Sequence, residues 1–233
     1  MIYGVVLAGG TGTRMKNGPM PKQFIELGGV PTIILTIKRM LLVERFDILI
    51  VAIHQSWVDF LNELIERYID DDRIVVIPGG TERLDSIANS VAEAAKRGVE
   101  HDDVIVLHDA VRPFVPVKVL EDSIDGALAH DAVVAAVPAV DTMLWIEEGT
   151  VVSDMPDRSK LYHGQAPDSF RLEVLKHSLE TLTDDDRKII TGTAQICMLK
   201  GIEIHTIQGD RNNIKLTTPE DLITAEGLLK EEQ

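Results

Sequence analysis

Short apolar runs alternate with amphipathic stretches along most of this chain, and that rhythm narrows its folding options more than any other feature. Residues 2–7, 46–53, 73–77, 103–107 and 132–137 have the length and β-branched content of buried strands. Residues 32–42, 58–69, 85–97 and 117–129 place apolar side chains at helical spacing between them. A β-α-β-α order of this kind predicts an α/β protein with a mostly parallel, doubly wound sheet. Ligands of such sheets bind beyond the carboxyl ends of the strands. Three turns at such ends carry unusual residues, after Leu7, Ile77 and Leu107.

The first of these turns is the richest. The stretch VVLAGGTGTRMKNGPMPKQF runs from an apolar strand into Gly9, Gly10 and Gly12, with Arg14, Pro21, Lys22 and Gln23 just beyond. Glycines let backbone N–H groups approach a ligand closely, and a row of such groups forms an anion cradle. Two cations beside it suit a polyphosphate. The pattern is no Walker loop, because Thr13-Arg14-Met15 follows Gly12 where Lys-Ser/Thr is required. Nor is it a dinucleotide fingerprint, since Met15 stands at the third glycine position, which argues against a dinucleotide-dependent oxidoreductase. The reading is a triphosphate cradle; the bland alternative is a plain glycine-rich βα turn.

Composition limits the partners. Of 233 residues 45% are hydrophobic, enough for one domain with a sizeable core. The formal net charge is −15, so no nucleic acid is expected as a partner. An acidic chain that binds a triphosphate must gather its cations locally. The single cysteine, Cys197, fits a reducing cytoplasm and reads as a buried core thiol. No signal peptide is evident and no apolar run reaches the roughly 18 residues that span a bilayer, so a soluble, cytoplasmic protein without a membrane partner is expected.

The other two turns supply polar groups. Asp109, in HDAVRP, closes a strand opposite the cradle and reads as a Mg²⁺ ligand, since such an ion takes one or two carboxylates plus phosphate oxygens. The alternative is a helix N-cap. Arg112 suits either a second phosphate or an acid partner, and His108 reads as a core histidine. In GGTERLDS, Gly79 and Gly80 allow close backbone approach to a base, with Ser86 as a polar contact. Lys215, between Ile214 and Leu216, either reaches the phosphates or extends to solvent. Residues 141–161 break the α/β rhythm: Met143–Ile146 and Thr150–Val152 flank Glu147-Glu148-Gly149, a β-hairpin pattern that would project as an arm with Trp145 and Val151 exposed. Residues 201–207 read as a strand, and a last helix opens at Thr218-Pro219-Glu220-Asp221. No nucleophile–base pair and no zinc-ligand spacing occurs, which leaves direct displacement at phosphorus as the fitting chemistry.

Five motifs in order, LAGGTGTRM with MPKQF, GGTERLDSI, HDAVRP, VDTM and NIKLTTPEDL, resemble the sugar-alcohol-phosphate cytidylyltransferases, over essentially the whole chain. That family includes enzymes acting on methylerythritol phosphate and on ribitol 5-phosphate. The resemblance implies a Rossmann-like (GT-A-like) fold, a single domain over 1–233, a homodimer through an arm at about 141–162, CTP as co-substrate and Mg²⁺ as cofactor. By motif, Leu7, Ala8, Gly9, Gly10, Thr11 and Gly12 would hold the triphosphate. Arg14 and Lys22, assisted by Lys215, would stabilise the transition state. Gly80, Thr81 and Ser86 would read cytosine, and Asp109 would bind the metal near the ribose. Arg112, with Thr142 and Arg158 from the partner's arm, would contact the phosphate of a pentitol phosphate. Met1-Ile2-Tyr3, the segment from Asn17 to Lys22, Trp57 and Tyr162-His-Gly164-Gln165 resemble the ribitol branch, which implies transfer to D-ribitol 5-phosphate. The methylerythritol enzymes are the alternative. Asn212 stands where those enzymes typically carry Asp, the one departure that favours a non-catalytic nucleotide binder. Ala166-Pro167-Asp168 and Thr191-Gly192 replace the usual Thr-Pro-Gln and Thr-Asp.

Overall fold

A computed structural model describes residues 1–9 and 20–231. Among the described residues, seven strands form one sheet in the order β5-β4-β1-β6-β8-β7-β9. These are β1 (Ile2–Ala8), β4 (Ile48–Ile53), β5 (Ile74–Pro78), β6 (Val104–Asp109), β7 (Ala132–Pro138), β8 (Tyr162–Arg171) and β9 (His205–Gln208). A small antiparallel pair, β2 (Glu26–Leu27) and β3 (Val30–Pro31), lies outside it. β1 pairs in parallel with β4 and β6, β4 with β5, and β7 with β9. Only β8 runs against its neighbours β6 and β7. The mostly parallel α/β sheet is therefore as the alternation predicts.

Helices cover both faces, and the strands sort their side chains with period two. Val6, Ala8, Leu49, Val51, Val104 and Val106 face α1 (Thr32–Leu41), α2 (Val58–Tyr68) and α4 (Val117–His130). Tyr3, Val5, Leu7, Ile50, Ala52, Ile105 and Leu107 face α3 (Arg83–Ala95), α5 (Leu172–Glu180) and α7 (Thr193–Met198). Cys197 is fully buried on this second face. The short α6 (Asp184–Ile189) links α5 to α7, opened by a capping box between Thr183 and Asp186. The last helix, α8 (Pro219–Glu231), starts where the sequence places it: Asp221 accepts the N–H groups of Thr217 and Thr218 at 2.7 and 2.8 Å. It seats Ala225 against Leu27, Phe114 and Leu216.

Two expectations need correction. The strand expected at 201–207 begins only at His205, because Gly201 at φ 76° and the residues after it complete the turn that leaves α7. The hairpin expected within 141–161 is reduced to one antiparallel bridge, Trp145 with Asp154, held by bonds of 2.8 Å from Trp145 N to Asp154 O and from Ser153 N to Trp145 O. Its tip turns at Gly149, φ 65°, a conformation that favours glycine. A two-stranded ribbon with no covered face has little to hold a longer ladder.

Candidate active site

At the carboxyl edge of the sheet, the ends of β1, β5 and β6 open into a cavity of about 230 Å³. Leu7, Ala8 and Gly9 come from the first turn, Thr81, Arg83 and Ser86 from the second, and Asp109, Ala110 and Val111 from the third. Lys22, Gln23 and Lys215 complete the wall. The three turns singled out in the sequence thus meet at one place.

Glycines explain the second turn. A Cβ on Gly80 would overlap the side chain of Asp85, and one on Gly9 would sit 2.7 Å from the Ser86 hydroxyl. Freed of both, Ser86 Oγ accepts the Gly80 N–H at 3.1 Å and donates to Glu82 O at 3.2 Å. The Thr81 hydroxyl donates to Asp85 at 3.0 Å. Asp85 and Glu82 also form the capping box that starts α3. The turn is therefore set before any ligand arrives.

Lys22 is carried by a single 3-10 turn, Lys22–Phe24, entered through Pro21 at φ −59°. Gln23 ties this turn to β1, its amide donating to Ala8 O at 2.7 Å. Phe24 anchors it from below, with ring centroids 5.2 Å from Trp57 and 5.0 Å from Phe60. Lys215 is placed by its neighbours too. The Asn213 amide donates to Ala166 O at 2.6 Å, and Leu216 N donates to Val111 O at 2.9 Å.

Asp109 is the electrostatic centre. Lys215 Nζ lies 3.0 Å from one carboxylate oxygen, Arg112 Nε donates to that same oxygen at 3.2 Å, and Arg83 reaches the other at 3.5 Å. Burial works against its charged form, but Lys215, Arg83 and Arg112 outweigh burial and hold the carboxyl well below its usual range. It is not a helix N-cap, since α4 begins eight residues on, after Pro116. Beside it, burial drives His108 down to about 4, so the ring is neutral; it is fully buried, hydrogen-bonds Arg112 O through Nε2 at 3.0 Å and does not line the cavity. Burial raises Cys197 to about 11, consistent with an inert core thiol.

The remaining site expectations fall differently. Gly10, Thr11, Gly12 and Arg14 lie outside the described residues. Arg112 is buried and directed at Asp109 and at Asn213 O, 2.6 Å away, rather than into the cavity. Thr142 and Arg158 sit in the exposed segment between β7 and β8, where Arg158 donates to Val140 O at 2.6 Å; neither lines the cavity. Asn212 lines a separate cavity beside Arg39 and Phe114, not the one at Asp109. Sequence reasoning gave no role to Arg83 or Asp168. Arg83 stands within GGTERLDS and Asp168 among the departures from the family pattern, but the contact that gives Arg83 its place, to Thr193, is too distant in sequence to be read locally.

Residues 2–231 match the family model described as IspD: 2-C-methyl-D-erythritol 4-phosphate cytidylyltransferase. The chain belongs to this cytidylyltransferase family. It is a CTP-dependent nucleotidyltransferase, as the motifs imply. It is 38% identical over 231 residues, 99% of either chain, to a ribitol-5-phosphate cytidylyltransferase of Lactiplantibacillus plantarum. A 2-C-methyl-D-erythritol 4-phosphate cytidylyltransferase of Francisella tularensis is 26% identical and superposes with a TM-score of 0.80, covering 97% of this chain and 98% of that one. The 4-diphosphocytidyl-2C-methyl-D-erythritol synthase of Anaerococcus prevotii, 23% identical with a TM-score of 0.81 over 99% and 96% of the two chains, shares the fold. No helix among the described residues is long and apolar enough to cross a membrane.

Proposed function

We propose that this protein transfers the cytidylyl group of CTP to a pentitol phosphate, D-ribitol 5-phosphate, releasing pyrophosphate and CDP-ribitol. The observation that carries the reading is the cationic cavity around Asp109, in a chain whose relative at 38% identity over 99% of both chains is named for ribitol 5-phosphate. A phosphate oxygen of the alcohol attacks the α-phosphorus in line, and pyrophosphate departs from the opposite side. Lys22, with Arg14, neutralises charge that builds on the α-phosphoryl oxygens, and Lys215 orients the attacking phosphate. Asp109 lines the cavity as an ionised carboxylate, and one such group suits a Mg²⁺ ion held mainly by triphosphate oxygens and water. When bound, the ion supplies charge neutralisation of the triphosphate, with Asp109 as its protein ligand. Residues 1–233 act as one catalytic unit in the cytoplasm. The exposed arm at about 141–162 pairs with a second copy, bringing Thr142 and Arg158 to the partner's alcohol phosphate. CDP-ribitol is a donor suited to a polyol-phosphate polymer of the teichoic acid kind.

The test is pyrophosphate release with CTP and Mg²⁺, comparing D-ribitol 5-phosphate with 2-C-methyl-D-erythritol 4-phosphate. Release with ribitol phosphate alone is expected. Release with methylerythritol phosphate alone would move the chain to the second reading, which the family description favours. Release with neither would sink both.

A further inference from the structure

Behind the Asp109 cavity lies a buried carboxylate for which the proposed reaction has no use. Asp168 is in the middle of β8, paired across to Leu107 of β6 and Val134 of β7, and only 9% exposed. Thr193, the first residue of α7, stands beside it with its hydroxyl. The same hydroxyl accepts a bond of 2.6 Å from Arg83 NH1. Arg83 thus donates to Thr193, whose own hydroxyl proton is left on the side of the Asp168 carboxylate. Arg83 itself belongs to two walls. It lines the Asp109 cavity, and also a smaller one of about 100 Å³ bounded by Arg187, Thr191 and Gly192.

We propose that Thr193 is a positioning residue that holds the Arg83 guanidinium between these two cavities, where it meets a phosphate group of a bound substrate. An unrestrained Arg at a helix start, 39% exposed, has many rotamers and would lose entropy on capturing a phosphate. Fixing one guanidinium nitrogen on Thr193 leaves its remaining N–H groups free to bind a phosphate in forked geometry. At 3.5 Å, the Arg83–Asp109 pair is longer than the bond to Thr193, so Arg83 can turn to an incoming anion while Thr193 still holds it. Burial pushes the Asp168 carboxyl beside Thr193 up to about 6.

The inference rests on the cytidylyl-transfer reading, and its test is a double-mutant cycle on Arg83 and Thr193. Arg83→Gln is expected to raise the KM of one phosphate substrate about 10-fold or more, and Thr193→Val to raise the same KM about 5- to 10-fold. The double variant should be no worse than Arg83→Gln alone, and Thr193→Ser should restore wild-type values. A shift confined to the KM of CTP assigns Arg83 to the triphosphate; one confined to ribitol 5-phosphate assigns it to the alcohol phosphate. Wild-type KM values in Thr193→Val, or effects that multiply in the double variant, overturn the proposal. Should Thr193→Val fail to fold, Thr193→Ala combined with Arg83→Gln reads the same coupling. Calorimetric binding of inorganic pyrophosphate by the same variants reports on Arg83 without turnover. A wild-type protein that turns over neither alcohol phosphate therefore sinks the functional reading, while the coupling remains measurable on its own.

Discussion

At the carboxyl edge of the sheet, Arg83, Asp109, Arg112 and Lys215 lie close together, each held by a named partner. In the segment between β7 and β8, Trp145, Val151 and Met155 stand 57%, 73% and 65% exposed, with a single bridge to organise them. Asp109 and Arg112 are covered where solvent would be expected to help them, and apolar groups of the arm are open where it harms them. In the first region three cations gather on one carboxylate, which makes the burial of Asp109 tolerable. In the second, exposed apolar side chains gain stability only against another surface. The contrast is between charges paired within the chain and an apolar stretch open to contact.

Several substitutions would break or sharpen that contrast. The largest effect is expected from Lys22→Ala, which should lower kcat about 100- to 1,000-fold in the pyrophosphate-release assay, with a melting temperature within about 2 °C of wild type. Near-normal turnover would remove Lys22 from the chemistry. Next comes the covered interior of the sheet. Ile50→Ala, at a fully buried strand position, should cost about 2–5 kcal/mol in urea unfolding.

Cys197 tests the same interior chemically. Its ionisation is pushed up from 9.0 to about 11, so at pH 8 the thiolate is scarcer by about 100-fold than in a free thiol. Alkylation by iodoacetamide should be slower in the native protein than in urea by at least that factor. Its rate should go on rising with pH through 9 instead of levelling there. Fast labelling of the native protein would show that α7 opens readily.

The arm should respond in the opposite sense. Trp145→Glu with Val151→Glu is expected to shift the mass measured by light scattering from dimer to monomer and to lower turnover about 10-fold, with the folding transition of the sheet unchanged. An unaltered mass would end the arm's assignment as a dimer contact. Smallest of all, Val151→Ala should change the stability of the isolated chain by under about 0.5 kcal/mol, against the several expected at Ile50.

How far the sequence anticipates these two regions depends on whether the determining pattern is local. The parallel strands and their helices are written as period-two and helical spacing, so β1, β4, β5, β6 and β7 lie close to where the pattern puts them. The last helix is marked by its own cap. β8 escaped because residues such as Gly164, Gln165, Pro167 and Asp168 give it no alternation; its place is fixed by pairing with β6 and β7 on both sides. Within the cavity, Leu7, Gly9, Lys22, Ser86, Asp109 and Lys215 were identifiable because glycines and isolated cations are rare signals in an acidic chain. Arg83 was not, since its importance comes from Thr193, 110 residues away. The arm was visible as a break in rhythm, yet the extent of its ladder depends on tertiary contact that spacing does not encode.

β8 carries one feature whose effect reaches beyond geometry. Its pairing with β7 runs in one register from Ala132 to Val134 and in another from Ala136 to Pro138, the extra residues being taken up around Gln165 to Pro167. The outer stretch, from Tyr162 to Gly164, pairs with β7 alone; the inner stretch, with Asp168, is clamped on both sides. A local irregularity of this kind uncouples the two halves of a strand. Insertions, deletions and new side chains in the arm can be absorbed at that joint without moving Asp168 against Leu107. Over generations, the projecting end is thereby open to drift and to acquiring a different companion, while the inner end stays under the constraint of the charges it supports.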